Sequence, residues 1–361
     1  MKKLKLYRDS FLDALRGQGD PLGDATAQFL YDYPEWIEKI NAWERLPESG
    51  TINSLPDELK AYFSAFKDRP SWIHPKQIRT AQVFFEQEGN LYLSLLGFYS
   101  LPYCYAFADG AQVLVRSKRI TEQIGMRLSE TALFLLDSFR PGTFLGGEEA
   151  LFTISKVRLI HAFSRLFIQK YTKDWQPEWG QPINQEDMIG TNLAFSLLVM
   201  RGMEKLGRYP GKETAEAVMH YWKVIGYFLG IDTDYWPENA KEAFELEKVI
   251  RKRHLKTSEA GLILIQALLA YYKAAVTEPA LANSAESLVA YFVGEEAAEV
   301  LQLKKGPDLP KGIYGLLLDL SFFRQYGLGS SYEKTRRVFF EQTKLQFGAM
   351  PQLLLPARKR T

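Results

Sequence analysis

Apolar positions recur every three or four residues along almost the whole chain, with polar positions filling the gaps. That period lays apolar side chains along one face of an α-helix. It predicts helices over 24–32, 35–46, 57–68, 75–87, 89–100, 103–115, 120–139, 146–171, 185–205, 212–229, 237–252, 257–275, 283–303, 311–323 and 331–345. The opening "MKKLKLYRDSFLDALRG" reads as a further amphipathic helix interrupted by Arg8, Asp9 and Asp13. No alternating run sits between hairpin turns, and no segment repeats. The breaks "RPGTFLGGEE", "DWQPEWGQP", "TDYWPEN" and "KKGPDLPKG" carry turn residues, but none is long or polar enough to link domains. The expectation is an all-α protein, a single large helical bundle. Residues 1–88 would form a flanking helical layer, 89–345 the core and 346–361 a tail.

Charge and composition narrow the picture. Lys and Arg number 45 against 43 Asp and Glu, a formal charge of +2 over 361 residues. No global field draws such a chain to nucleic acid or anionic lipid. The terminal "PARKRT" is a solvated basic end. Cys104 is the single cysteine, which excludes an intrachain disulfide and a CxxCH haem attachment. The greasiest stretch, "AGLILIQALLAYYKAAV", contains Gln266 and Lys273 and falls short of a membrane span. The N-terminus lacks the apolar run and cleavage site of a secretory signal, so a cytoplasmic location is expected. Aromatic residues make up 14% of the chain, which suits a large core or a pocket walled by flat rings.

Candidate chemistry begins at "KVRLIHAFSR", where Arg158, His161 and Arg165 share one helical face. Leu159, Ile160, Ala162 and Phe163 point in the other directions, as on a buried helix. Buried cations need anionic or metal partners. One answer is structural: a core histidine bonded to a carbonyl, with both arginines paired to acids on neighbouring helices. Zinc fails, because there is no HExxH and no second cysteine, and the other histidines show no ligand spacing. A serine hydrolase fails for want of a GxSxG elbow. A non-covalent b-type haem fits: it needs one neutral imidazole on iron, basic groups for its propionates and an apolar cleft between helices. In "RITEQIGMRLSETALFLLDSFRPG", Arg127, Glu130 and Thr131 again share a face. Its plainer reading is an exposed Arg–Glu pair.

The segments "SLPYCYAFADGAQVLVRS", "RLSETALFLLDS", "KVRLIHAFSR", "PINQEDMIGTNLAFS" and "HYWKVIGYFLGI" come in the order and spacing of a known family. Over roughly residues 90 to 232 the chain resembles the latex-clearing rubber oxygenases and the fungal mpaB oxygenases. The resemblance implies a globin-related helical core holding one haem b. It implies His161 as the proximal iron ligand, with Arg127 and Thr131 on the oxygen-binding side. Arg158 and Arg165 match basic positions near the haem, and Thr191 matches a segment that walls the pocket. Glu130 stands where rubber oxygenases carry a lysine. Their upstream glutamate, the proposed base, has no match beyond Asp109 in "YAFADGAQVLV".

The expected activity is oxygenation of carbon–carbon double bonds in an apolar, isoprenoid or lipid-like small substrate, with dioxygen as co-substrate. Arg127 and Thr131 would donate hydrogen bonds to oxygen, and Glu130 would move a proton, ligate iron or pair with Arg127. The competing reading is a haem-binding protein without turnover, a gas or redox sensor or a haem carrier. A third is a helical scaffold without cofactor. Elsewhere, Asn184 followed by Asp187 reads as a helix N-cap and first-turn acid. His220 reads as packing, His74 as a helix start before Pro75, His254 as a solvated helix end, Cys104 as a small core residue and Gly230 as a helix stop.

Overall fold

The computed structural model describes residues 3–117, 123–275, 279–304, 306, 313–315, 318 and 331–356. Among them every regular element is helical, and only isolated bridges such as Phe107 with Leu255 show extended pairing. In chain order the helices are α1 (Asp9–Arg16), α2 (Pro21–Asp32), α3 (Glu35–Ala42), α4 (Ser49–Asn53), α5 (Asp57–Ser64) and α6 (Pro75–Leu95). Then come α7 (Leu101–Tyr105), α8 (Ala108–Val115), α9 (Ile124–Ser138), α10 (Glu149–Tyr171), α11 (Gln185–Lys205) and α12 (Lys212–Phe228). The remainder are α13 (Ala240–His254), α14 (Glu259–Ala275), α15 (Pro279–Val293), α16 (Glu295–Val300) and α17 (Tyr332–Phe347). The all-helical expectation holds. Most of the helix expected over 311–323, the start of the one expected over 120–139, and residues 357–361 lie outside the described residues.

Local chemistry sets the ends. Pro75 opens α6 with His74 at the cap, as the sequence implied. The Asn184 side chain accepts from the Asp187 N–H at the start of α11. Gly230, at φ +88°, stops α12. Three boundaries differ from expectation. Gly89 does not divide α6, because one helical glycine costs only about 1 kcal/mol and packing covers it. The expected helix 103–115 is broken into α7 and α8 at Ala106 and Phe107, where Ala106 accepts a bond from the Lys256 N–H instead. The expected helix 283–303 turns at Gly294, whose φ is +85°.

Between α6 and α7 the backbone widens into a π-helical turn over Leu96–Ser100, fully buried. Such a turn frees carbonyls, and side chains take them up. Tyr272 donates to the Gly97 carbonyl at 2.8 Å, while the Ser100 hydroxyl reaches Ala194 on α11 at 2.6 Å. The turn thereby sets the register of α7 and of Cys104.

An aromatic column ties the early helices to the later ones. Phe85 stacks on Phe139 at 4.3 Å and Phe139 on Tyr221 at 4.4 Å. Phe144 then meets Tyr221, and Phe228 stacks between Phe144 and Phe66. Gln82 staples the turn between α9 and α10, donating to the carbonyls of Arg140 and Thr143 and accepting from Gly142. Within this frame α10 packs against α2, α9 and α12, and α11 against α1, α12 and α13. No helix among the described residues is long and apolar enough to cross a membrane. Removing the ring at the centre of the column, Phe139→Ala, is expected to cost about 3–5 kcal/mol by cavity formation. Urea unfolding measures this, and a loss below 1 kcal/mol would show that the column bears no such share.

Candidate active site

Four helical segments in the interior each keep one stripe of accessible surface. The stripes are Ile124, Arg127 and Thr131 on α9; Val157, His161 and Ser164 on α10; Asp187, Gly190 and Thr191 on α11; and Leu101 and Cys104 on α7. Yet His161, Cys104 and Asp187 lie deep among other protein atoms. Depth with residual accessible surface is what side chains lining a space between helices show. Side-chain interactions join the stripes. Thr191 hydrogen-bonds Cys104, and the charge of Arg127 acts on both Tyr105 and His161. The result is a hollow bounded by α7, α9, α10 and α11.

Among the described residues His161 has no hydrogen-bond partner, and its Nδ1 is sealed from solvent. Burial drives its pKa down to about 3, helped by the positive charges of Arg165 and Arg127 and opposed by Asp20. The ring is therefore neutral throughout the ordinary pH range and keeps a nitrogen lone pair, as a metal ligand requires. Cys104 is no rival, since burial pushes its thiol up to about 12.

Across from His161, Arg127 donates to Glu130 at 3.3 Å, and Glu130 is buried. The Thr131 hydroxyl donates to the Arg127 carbonyl one turn back, at 3.1 Å. Its proton is thus committed within the helix. With the proton so placed, the hydroxyl oxygen keeps its acceptor lone pairs. Thr191 likewise donates to the Asp187 carbonyl at 2.9 Å and faces the hollow.

The two arginines beside His161 are held by acids from the first layer of helices. Arg158 grips Asp20 through Nε and Nη2, both at 2.7 Å. Arg165 donates from Nε to Asp24 at 2.6 Å and from Nη1 to the Ile183 carbonyl at 3.1 Å. A planar guanidinium matched by two carboxylate oxygens is the strongest ordinary way to bury such a charge.

A second constellation, which the sequence reading missed, adjoins the hollow. Arg16 reaches Glu186, Asp187 and Asp109 at 3.4, 3.2 and 3.3 Å. His254 bridges Asp109 through Nδ1 and Glu186 through Nε2, both at 3.1 Å. Arg253 closes the far side on Glu186, Asp9 and Asp13. The expectation that His254 is a solvated helix end is therefore corrected: the ring is 7% exposed and joins α13 to α8 and α11. The basic run "VIRKRHLK" and the acidic pair Glu186–Asp187 are 67 residues apart at Arg253, so no local spacing announces their meeting. His220 does pack, accepting from the His74 N–H beside Trp72.

The cluster has a clear pH signature. Burial pulls the pKa of His254 down, but its bonds to Asp109 and Glu186 outweigh this and leave it raised above 6.5. Burial pushes Glu186 and Asp109 up, but His254 with Arg253 or Arg16 holds both carboxyls below their usual range. Asp187 is pushed up to about 6 by burial, against the pull of Arg16. A raised histidine stabilises the fold fully below its unfolded value, and that share is lost as pH rises through the folded value. The depressed carboxyls contribute above their unfolded values and lose that share on acidification; Asp187 acts in the opposite sense, favouring the fold most below pH 4. His254→Gln should lower stability by about 3 kcal/mol at pH 6 and abolish the loss seen on going to pH 8. Denaturant titrations at both pH values check this, and parallel wild-type and variant curves would contradict it.

Fold and site together describe a helical protein with a polar-walled internal space centred on a neutral histidine. The chain belongs to the family described as the ER-bound oxygenase mpaB/B′ and rubber oxygenase catalytic domain, matched over residues 105–313. It is an oxygenase, an oxidoreductase. It is 25% identical over 279 residues to a rubber oxygenase of Streptomyces sp. (strain K30), covering 75% of this chain and 67% of that one. Its fold is that of latex clearing protein LCP in the closed state, with a TM-score of 0.68 at 21% identity over 90% of each chain. The matched segment holds Arg127, Glu130, Thr131, Arg158, His161, Arg165 and Thr191. Arg16, Asp20 and Asp24 precede it.

Proposed function

We propose that the chain is a haem b-dependent oxygenase acting on carbon–carbon double bonds of an apolar, isoprenoid or lipid-like small substrate. The observation that carries this reading is His161, a deep, neutral imidazole at the wall of the hollow with no hydrogen-bond partner among the described residues. Such a ring is costly to bury unless it has a ligand to serve. The related Streptomyces protein is named for its action on rubber, and isoprenoid double bonds are the corresponding chemistry here.

The residues present fit the group. His161 would ligate its iron, with Arg127 and Thr191 beside it; Arg158, engaged by Asp20, and Arg165, held by Asp24 and the Ile183 carbonyl, would act by fixing this wall. When bound, haem supplies redox chemistry with dioxygen that no side chain can. The chain's own groups then divide the remaining work. Arg127 has N–H groups with no acceptor among the described residues beyond Glu130, and its charge favours negative charge developing beside it. Glu130, oriented by Arg127, would accept a proton from the carbon next to the double bond and hold it on its carboxylate. Thr131 places a hydroxyl oxygen one position further along the same helix. Residues of α7 and α9 shield the space from bulk water, which suits a substrate without hydrogen-bonding groups.

The test is oxygen uptake by purified haem-loaded protein, with short isoprenoids, unsaturated lipids and rubber latex compared side by side. Uptake with carbonyl products from a short isoprenoid or lipid is expected. Uptake with latex alone would replace the small substrate by a polymer, and none with any substrate would leave a haem carrier or sensor. Glu130→Gln should lower turnover about a hundredfold while leaving the haem spectrum in place. A wild-type rate would remove Glu130 from proton transfer.

A further inference from the structure

Asp20 is 2% exposed and precedes α2, far outside the matched catalytic segment. Its two oxygens take Arg158 at 2.7 Å each, and Oδ2 lies 3.9 Å from Nη2 of Arg165. Among the described residues that Nη2 has no hydrogen-bond partner, and neither has Nδ1 of His161, one turn away on the same helix. Two sealed nitrogens thus sit one turn apart on α10, with the Asp20 carboxylate beside one of them and near enough to the other for its charge to act on the ring. The surrounding backbone is shaped to admit this carboxylate. A Cβ on Gly23 would stand 2.3 Å from Asp20 Oδ2, and one on Gly230 would stand 2.6 Å from it. Gly230 also lies in the left-handed region at φ +88°.

We propose that Asp20 is the positioning residue for His161, anchoring a buried water that accepts from His161 Nδ1 and Arg165 Nη2 and donates to the Asp20 carboxylate. The proposal rests on the haem reading above and adds to it a group from the first layer of helices. Three polar partners are what a buried water ordinarily has. With Nε2 turned to the metal, Nδ1 carries the proton and needs an acceptor. A ligand histidine whose second nitrogen is bonded toward a carboxylate is fixed in tautomer and angle and is the more basic at its metal-facing nitrogen. Asp20 also opposes the two arginine charges at this ring, consistent with its closeness. It does so with Arg158 locked to it, so the carboxylate cannot swing onto the ring and replace the water.

Asp20→Asn keeps the shape and removes the charge. In haem-loaded protein it should raise the iron reduction potential, weaken the ferrous iron–histidine stretch in resonance Raman spectra, and lower haem affinity about tenfold. Asp24→Asn, which disturbs Arg165 from its half-exposed side, should leave the stretch unchanged. Should Asp20→Asn fail to fold, the wild-type holoprotein still decides: proton NMR must show a slowly exchanging Nδ1 proton on the ligand histidine. A rapidly exchanging proton, or a stretch and potential equal to wild type in folded Asp20→Asn, would overturn the role of Asp20 while the haem reading stands. Wild-type protein that takes up no haem would overturn both.

Discussion

Two guanidiniums and an imidazole share one face of α10, in the interior of the protein. An uncompensated charge there costs several kcal/mol, so the helix can be buried only if acids are brought to it. Asp20 and Asp24 do this from α2. Their pairing is more than neutralisation. By occupying Arg158 and most of Arg165, it leaves His161 as the one side chain of the stripe without a hydrogen-bond partner among the described residues, and burial, helped by the nearby positive charge, keeps its ring unprotonated.

Much of this was legible in the sequence. Helical periodicity gave the class of fold, and turn residues such as Pro75, Asn184 and Gly230 marked true ends. The spacing of Arg158, His161 and Arg165 announced a polar stripe on a buried helix. What periodicity could not show is which acids answer it, because Asp20 and Arg158 are 138 residues apart. The same limit hid the joining of Asp109, Glu186 and His254. Charge runs look alike whether they face water or one another, and only tertiary packing separates the cases. The break between α7 and α8 was equally hidden, since it depends on a backbone bond to Lys256.

The two charged constellations draw on different helices and share no residue. Around Arg16 and His254, carboxylates and cations from α1, α8, α11 and α13 are tied into a lattice whose strength varies with pH. Around Asp20 the carboxylate is shared between two guanidiniums of α10, gripping Arg158 and lying 3.9 Å from Arg165. In both, a residue ahead of the family's catalytic segment completes the charge pairing, Arg16 in one and Asp20 in the other. The early helices therefore supply partners for the buried charges of the later ones.

The central claim is that His161 holds a metal-bearing cofactor in the hollow. Titrating cofactor-free protein with haem, followed by its visible absorption, tests it most directly. Saturation at one haem per chain with a sharp Soret band is expected, and His161→Ala should lose that band or change the axial ligation it reports. An identical spectrum and stoichiometry in His161→Ala would contradict the account.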